Sequence, residues 1–328
     1  MASLTPSEIS DDRSANVIAA VTTCLCLATI AVALRVLARR MMKTPLGADD
    51  WMIFTALFFN AVYATSTLVL VRFGLGRHQI TLEHPVSLAK SEISTEVLYN
   101  PAMITVKFSI LLLYHRIFPI PKFKLVLWAV ATFTFCYTVA GTCVVIFQCV
   151  PVRSDWDPSV KPHCVNLDAE LITIGVLNSL TDFFILALPI PLLWRLHSSL
   201  AHKIQLGGMF SLGGFVCITS IVRVIAVSSI SLTDGSWVNT YPAIWAYVET
   251  SIAVVSACLP TLRPIYKYAL YGKKGLSQLP TSGDSNRPEL TKSISPWSKG
   301  QVAKEKEFSR LDSGNEVTRS EEGMSESV

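Results

Sequence analysis

Polar and apolar positions along the chain alternate in long blocks rather than at a helical or strand period. Apolar runs of about 20 residues, enough to cross a hydrocarbon core as a helix, recur seven times. They cover roughly 16–38, 50–72, 93–114, 125–147, 169–194, 204–231 and 243–263. Lipid gives the backbone no hydrogen-bond partner, so each run is expected to be helical throughout. The pattern predicts an all-α, polytopic membrane protein with seven transmembrane helices. The third run is the most polar, holding Glu96, Asn100 and Lys107. Prolines punctuate three of the runs: Tyr99-Asn100-Pro101 is expected to kink the third helix, and "LPIP" at 188–191 and "LPTLRP" at 259–264 to bend or end the fifth and seventh.

Composition agrees with the pattern. Hydrophobic residues make up 51% of the 328, and charged residues only 16%. A soluble domain needs about 25% charge to wet its surface. After about residue 270 the character changes to Ser, Lys, Glu, Pro and Gly, which cannot bury enough surface to fold alone. Three regions are therefore expected: a short outer amino terminus over 1–15, a membrane domain over 16–270, and a disordered cytosolic tail over 271–328. "MASLTPSEISDD" lacks the positive start of a signal peptide.

Loop charge sets the expected orientation. With the amino terminus outside, the inner side receives thirteen cations: Arg35, Arg39, Arg40, Lys43, Arg116, Lys122, Lys124, Arg195, Lys203, Arg263, Lys267, Lys273 and Lys274. The outer side receives six: Arg13, Arg72, Arg77, Lys90, Arg153 and Lys161. The amino terminus is expected outside, the tail in the cytosol, and the plasma membrane is the expected host.

On this orientation "FQCVPVRSDWDPSVKPHC" at 147–164 is the second outer loop. Six of the eight cysteines fall inside spans, leaving Cys149 and Cys164 in an oxidising position. A disulfide between them closes a loop of about 15 residues, worth on the order of 3 kcal/mol in a chain-entropy account. Pro151, Pro158 and Pro162 stiffen the same loop into a lid, under which a small-molecule ligand is expected to enter. No N-glycosylation sequon is present.

Ionisable side chains inside spans are costly and mark partners or pathways. Here they are Lys107, Asp182, Arg223 and Glu249, with Asn60, Asn100 and Asn178 as neighbours able to join one network. Depth pairs them. Lys107 lies roughly 12 Å and Asp182 roughly 20 Å from the inner ends of their helices, a gap a lysine stem can span, while Glu249 and Arg223 lie roughly 10 and 16 Å below the outer ends. Two pairs at different levels follow, Lys107 with Asp182 and Arg223 with Glu249. Such pairs either lock packing or serve a ligand or switch. Asp49 and Asp50 read as caps of the second helix, with Trp51 in the interfacial belt and effector contact as the other reading.

Several motifs together resemble the fungal rhodopsin-domain family of seven-helix membrane proteins, which includes orphan receptor-like proteins of filamentous fungi and membrane proteins of satratoxin-type clusters. They are "GADDW" at 47–51, "KFSILLLYHRIF" at 107–118, "FQCVPV…WD…C" at 147–164, "NSLTDFFILALPIPLLW" at 178–194, "GMFSLGGFVCITSIVR" at 208–223 and "VETSIAVVSACLPTLRP" at 248–264. The resemblance implies receptor-like chemical sensing or an accessory role in a secondary-metabolite cluster, with a cytosolic signalling effector near Arg116 and Arg195. Receptor-type members often carry an outer cysteine-rich CFEM domain, and the residues ahead of the first span here hold no cysteine. Retinal does not follow from the resemblance, because the seventh span has no Lys to form a Schiff base. No other cofactor, metal or nucleic acid is implied; all six histidines fall in loops or at helix ends. The alternatives are a membrane-embedded biosynthetic enzyme, cyclase-like, with Asp182 and Glu249 as acids, or a small-molecule transporter, against which stands the lack of an internal repeat.

Overall fold

The computed structural model describes residues 12–78, 85–155, 163–191, 200–228, 235–262 and 264–265. Pro158, Pro162 and the tail lie outside the described residues. Seven long helices follow in order: α1 Ser14–Met41, α2 Ala48–Phe73, α3 Pro85–Ile117, α4 Pro121–Ile146, α5 Leu167–Ala187, α6 Leu200–Ser228 and α7 Thr240–Cys258. Six of these positions are long and apolar enough to cross a membrane; over α6 the apolar stretch is the shorter Ser211–Ile225. The protein is an all-α polytopic membrane protein.

The helices alternate in direction, so one face of the bundle carries the α4–α5 connection and the other carries the start of α2. The first, here the hairpin face, holds a two-residue antiparallel pairing of β1 (Cys149–Val150) with β2 (His163–Cys164). A Cys149–Cys164 disulfide staples the two strands, and Val165 N–H donates to Gln148 O at 2.9 Å. Nearby, Gly76 sits at φ +96°, in the left-handed region that favours glycine. Its carbonyl accepts from Arg13 N–H at 3.1 Å and its N–H donates to Ser236 O at 3.3 Å, so one turn ties the starts of α1 and α7 together.

α3 and α7 are the inner helices. α3 packs on α2, α4 and α7, and α7 packs on α1, α2, α3 and α6. The central apolar cluster joins Ala28, Val32, Ile53, Val106, Val216 and Val254. α4 is peripheral and turns Leu125, Trp128, Phe133 and Phe135 outward, as a lipid-facing helix does.

Prolines mark the helix courses. α5 ends at Ala187, where "LPIP" begins, as expected of that motif and short of the apolar run's end at 194. α3 passes through Pro101 without ending and is 33 residues long; the Thr105 hydroxyl donates to Pro101 O at 2.7 Å one turn later. After Cys258, α7 tightens into the 3-10 turn Leu259–Thr261, with Pro260 unable to supply the next helical N–H.

Candidate functional site: a buried charge network

The two pairings inferred from depth are the two short charge contacts at the bundle centre. Lys107 Nζ lies 3.1 Å from Asp182 Oδ1, and Arg223 Nε lies 3.0 Å from Glu249 Oε2. The second is an ion pair whose N–H is not aimed at the oxygen, and Arg223 Nη2 is buried without a hydrogen-bond partner among the described residues.

The separate levels, however, merge into one network, and Asn178 with Ser220 does the joining. Asn178 Nδ2 donates to Glu249 Oε1 at 2.7 Å and to Asp182 Oδ2 at 3.3 Å. The Ser220 hydroxyl lies 3.3 Å from Asp182 Oδ2 and also touches Glu249 Oε1. Lys107 donates further to Asn178 Oδ1 at 2.8 Å, Thr181 Oγ1 at 2.7 Å, Asn178 O at 3.1 Å and Tyr137 OH at 3.2 Å. Tyr99 OH donates to Glu249 Oε2 at 3.2 Å, and the Arg223 guanidinium stands 4.9 Å from the Tyr99 ring centre. Helices α3, α4, α5, α6 and α7 all contribute. The bridge is lateral: Asn178, one turn from Asp182 on α5, and Ser220 on α6 each reach a carboxylate of both pairs.

Two of the asparagines stand apart from this network. Asn100 donates to Thr142 Oγ1 at 3.0 Å, tying α3 to α4. It is two helical turns from Lys107, about 10 Å along the axis. Asn60 belongs to an α2–α7 set, donating to Ser251 Oγ at 3.3 Å and accepting from Thr250 Oγ1 at 3.2 Å.

Below Lys107 and Asp182, toward the other face, is a cavity of about 50 Å³. It has room for a few waters and none for a ligand of ordinary size, which takes roughly 300–1,000 Å³. Ser256 and Ala257 of α7 line its far end. Ala257 leads directly into a second cluster of charges.

That second cluster holds Asp49 and Asp50, and it extends the capping reading. Asp50 Oδ2 does accept from Gly47 N–H at 3.0 Å, as a cap would. Both carboxylates are nevertheless buried and shared among three arginines. Arg35, 1% exposed, reaches Asp49 Oδ2 at 2.7 Å and Asp50 Oδ1 at 2.8 Å. Arg39 repeats the fork at 2.6 and 3.1 Å, and Arg116 Nη1 reaches Asp49 Oδ1 at 3.0 Å. The third guanidinium nitrogen of Arg35 donates to Ala257 O at 2.7 Å. This carbonyl lies at the end of α7, where Pro260 has broken the ladder, so Arg35 caps α7 from α1. Ser109 Oγ donates to Asp49 O at 2.9 Å, bringing in α3. Sequence reading counted Arg35 among the loop cations and missed the cluster. The available signal was spacing: Arg35 and Arg39 are four apart on one helix face, opposite two adjacent acids across a short connection.

Comparison with known proteins follows the same motifs. Residues 34–268 match the fungal rhodopsin domain. The chain belongs to that family. Among its relatives is a SAT4 family membrane protein of Emericella nidulans, 31% identical over 69% of this chain and 59% of its own length. Another is the satratoxin biosynthesis SC1 cluster protein 4 of Stachybotrys chartarum, 32% identical over 54% of this chain and 63% of its own. A third, the receptor GIN3 of Arthrobotrys oligospora, is 22% identical over 82% and 70%. The chain thus spans about three-fifths of the first relative's length. No solved structure matches it. Both charge clusters lie within the matched domain. Among the described residues no three His, Cys, Asp or Glu side chains gather to hold a metal ion.

Proposed function

We propose that this fungal rhodopsin-domain protein is a receptor-like chemical sensor of the plasma membrane that works without retinal. One observation carries the reading. Glu249, 0% exposed, is held at once by Tyr99 of α3, Asn178 of α5, and Ser220 and Arg223 of α6. A single carboxylate gripped by three helices besides its own registers any relative movement among them, and breaking one grip strands charge in low dielectric. That is the physical requirement for a two-state element. The unsatisfied Arg223 Nη2 supports a ligand with a carboxylate or carbonyl oxygen, entering from the hairpin face and competing for this guanidinium.

The test is deletion of the gene, with complementation by the wild type or by Glu249→Gln, which keeps shape and loses charge. Cyclic nucleotides and secreted metabolites are measured together, after matching surface expression. The sensor reading expects altered signalling with the metabolite profile intact in both the deletion and the Glu249→Gln strain. A metabolite lost while signalling stays normal would overturn it. That outcome would favour the second reading, an accessory role in a biosynthetic cluster, which the name of the Stachybotrys relative supports.

A further inference from the structure

The cluster around Asp49 does not balance its charge. Three guanidinium groups surround two carboxylates, and Arg35 and Arg39 already contact both acids. Arg116 is one cation more than the carboxylates need. It is also the one at the surface: its side chain is 37% exposed, against 1% for Arg35 and 14% for Arg39. Arg116 can therefore leave without stranding an acid, whereas Arg35 cannot.

Among the described residues of this face no other acid supplies the missing anion: the ends of α1, α3, α4, α5 and α7 there carry none. Arg40, Lys43 and Lys122, near helix ends on the same face, are also exposed and add positive charge to it. Trp51 is exposed one residue beyond Asp50, at the depth where an indole meets headgroups. The excess cation thus stands at a membrane interface, with a fork-shaped donor set that suits a phosphate.

We infer that this face binds a phosphate-bearing lipid headgroup through Arg116, in competition with Asp49. Bound to Asp49, the arginine ties the end of α3 to the start of α2. Bound to the headgroup, it releases that tie while Arg35 and Arg39 keep both acids neutralised. Gly47 sets the clearance: a Cβ there would lie 2.6 Å from Arg116 Nη1 and 2.5 Å from Asp49 Oδ1.

The experiment uses the full chain in nanodiscs of phosphatidylcholine, alone or with phosphatidylserine or phosphatidylinositol 4,5-bisphosphate at matched total charge, and reads the thermal midpoint. The bisphosphate lipid is expected to raise it by roughly 5–10 °C at about a hundredfold excess over Kd, and phosphatidylserine by much less. Arg116→Gln should abolish most of that shift, and Arg72→Gln, on the hairpin face, none of it. Gly47→Ala pushes Arg116 off Asp49 without changing charge, so it should move the titration to lower lipid fractions. Opposite signs for the Gly47 and Arg116 variants separate a binding site from a merely structural contact. Equal shifts from both anionic lipids, or a full shift in Arg116→Gln, would overturn the proposal. Free inositol 1,4,5-trisphosphate reproducing the whole shift in neutral nanodiscs would overturn the lipid source.

Discussion

Removing the Lys107 ammonium tests the central network most directly, because the structure predicts an asymmetry between the two partners of its ion pair. In Lys107→Met, Asp182 keeps only Asn178 Nδ2 and Ser220 Oγ, each at 3.3 Å. A buried carboxylate with two long hydrogen bonds and no cation costs about 3–5 kcal/mol. In Asp182→Asn, Lys107 retains four acceptors between 2.7 and 3.2 Å. The ammonium remains solvated by the protein, and the loss should be nearer about 1.5–3 kcal/mol, the range for a hydrogen bond to a charged group. With both replaced, Lys107→Met and Asp182→Asn, no charge is stranded and the cost should fall below that of Lys107→Met alone, giving a coupling of roughly 2 kcal/mol or more. Unfolding in nanodiscs, followed by tryptophan fluorescence, gives all four corners of the cycle. For a domain of this size the lysine variant should lose roughly 10 °C in Tm. Additive single effects, or an aspartate variant as damaging as the lysine variant, would refute this account of the pair.

The disulfide should protect Cys149 and Cys164 from alkylation by an impermeant maleimide until reductant is added; both labelling without reductant would remove the staple from the hairpin face. Arg35→Gln strands parts of two carboxylates and the Ala257 carbonyl, so it should cost about 3–5 kcal/mol, while Arg116→Gln, at a half-exposed group, should cost under about 1 kcal/mol. Surface expression of the two side by side checks this, and equal expression would contradict the burial argument. A reporter fused after residue 275 should be cytosolic and one at the amino terminus extracellular, following the thirteen-to-six charge bias; protease reaching the tail in intact cells would reverse the orientation.

Spans and ion pairs were legible in the sequence because the membrane makes polar residues expensive. Four ionisable groups deep in seven apolar runs must find partners, and depth alone sorted them into the contacts Lys107–Asp182 and Arg223–Glu249. What depth could not show is lateral placement. Asn178 lies four residues before Asp182 and so shares its helix face, yet its bond to Glu249 depends on where α7 stands relative to α5. The same limit applies to Ser220, which nothing marks among its neighbours in "CITSIVR". A serine in an apolar span usually bonds its own helix. Here its hydroxyl reaches two carboxylates on other helices.

The Asp49 cluster was missed for a different reason. Charges near span ends are read as topology signals, since most of them sit in water. "GADDW" and "LPTLRP" look like unrelated punctuation, one opening α2 and one closing α7. In the folded chain they are halves of one device. Pro260 leaves the Ala257 carbonyl without a helical donor, Arg35 supplies that donor, and Asp49 and Asp50 hold Arg35 in place. The glycine of the same motif keeps clear the space that Arg116 enters. Ala257 also lines the cavity under Asp182, so one residue separates the central network from this second cluster. A movement of α7 that loosened Glu249 from Asn178 and Ser220 would pull on the Arg35–Ala257 bond at its other end. The two clusters stand in series along α7, and in the receptor-like reading proposed above this is the route by which a movement near the hairpin face would reach the face bearing Arg116.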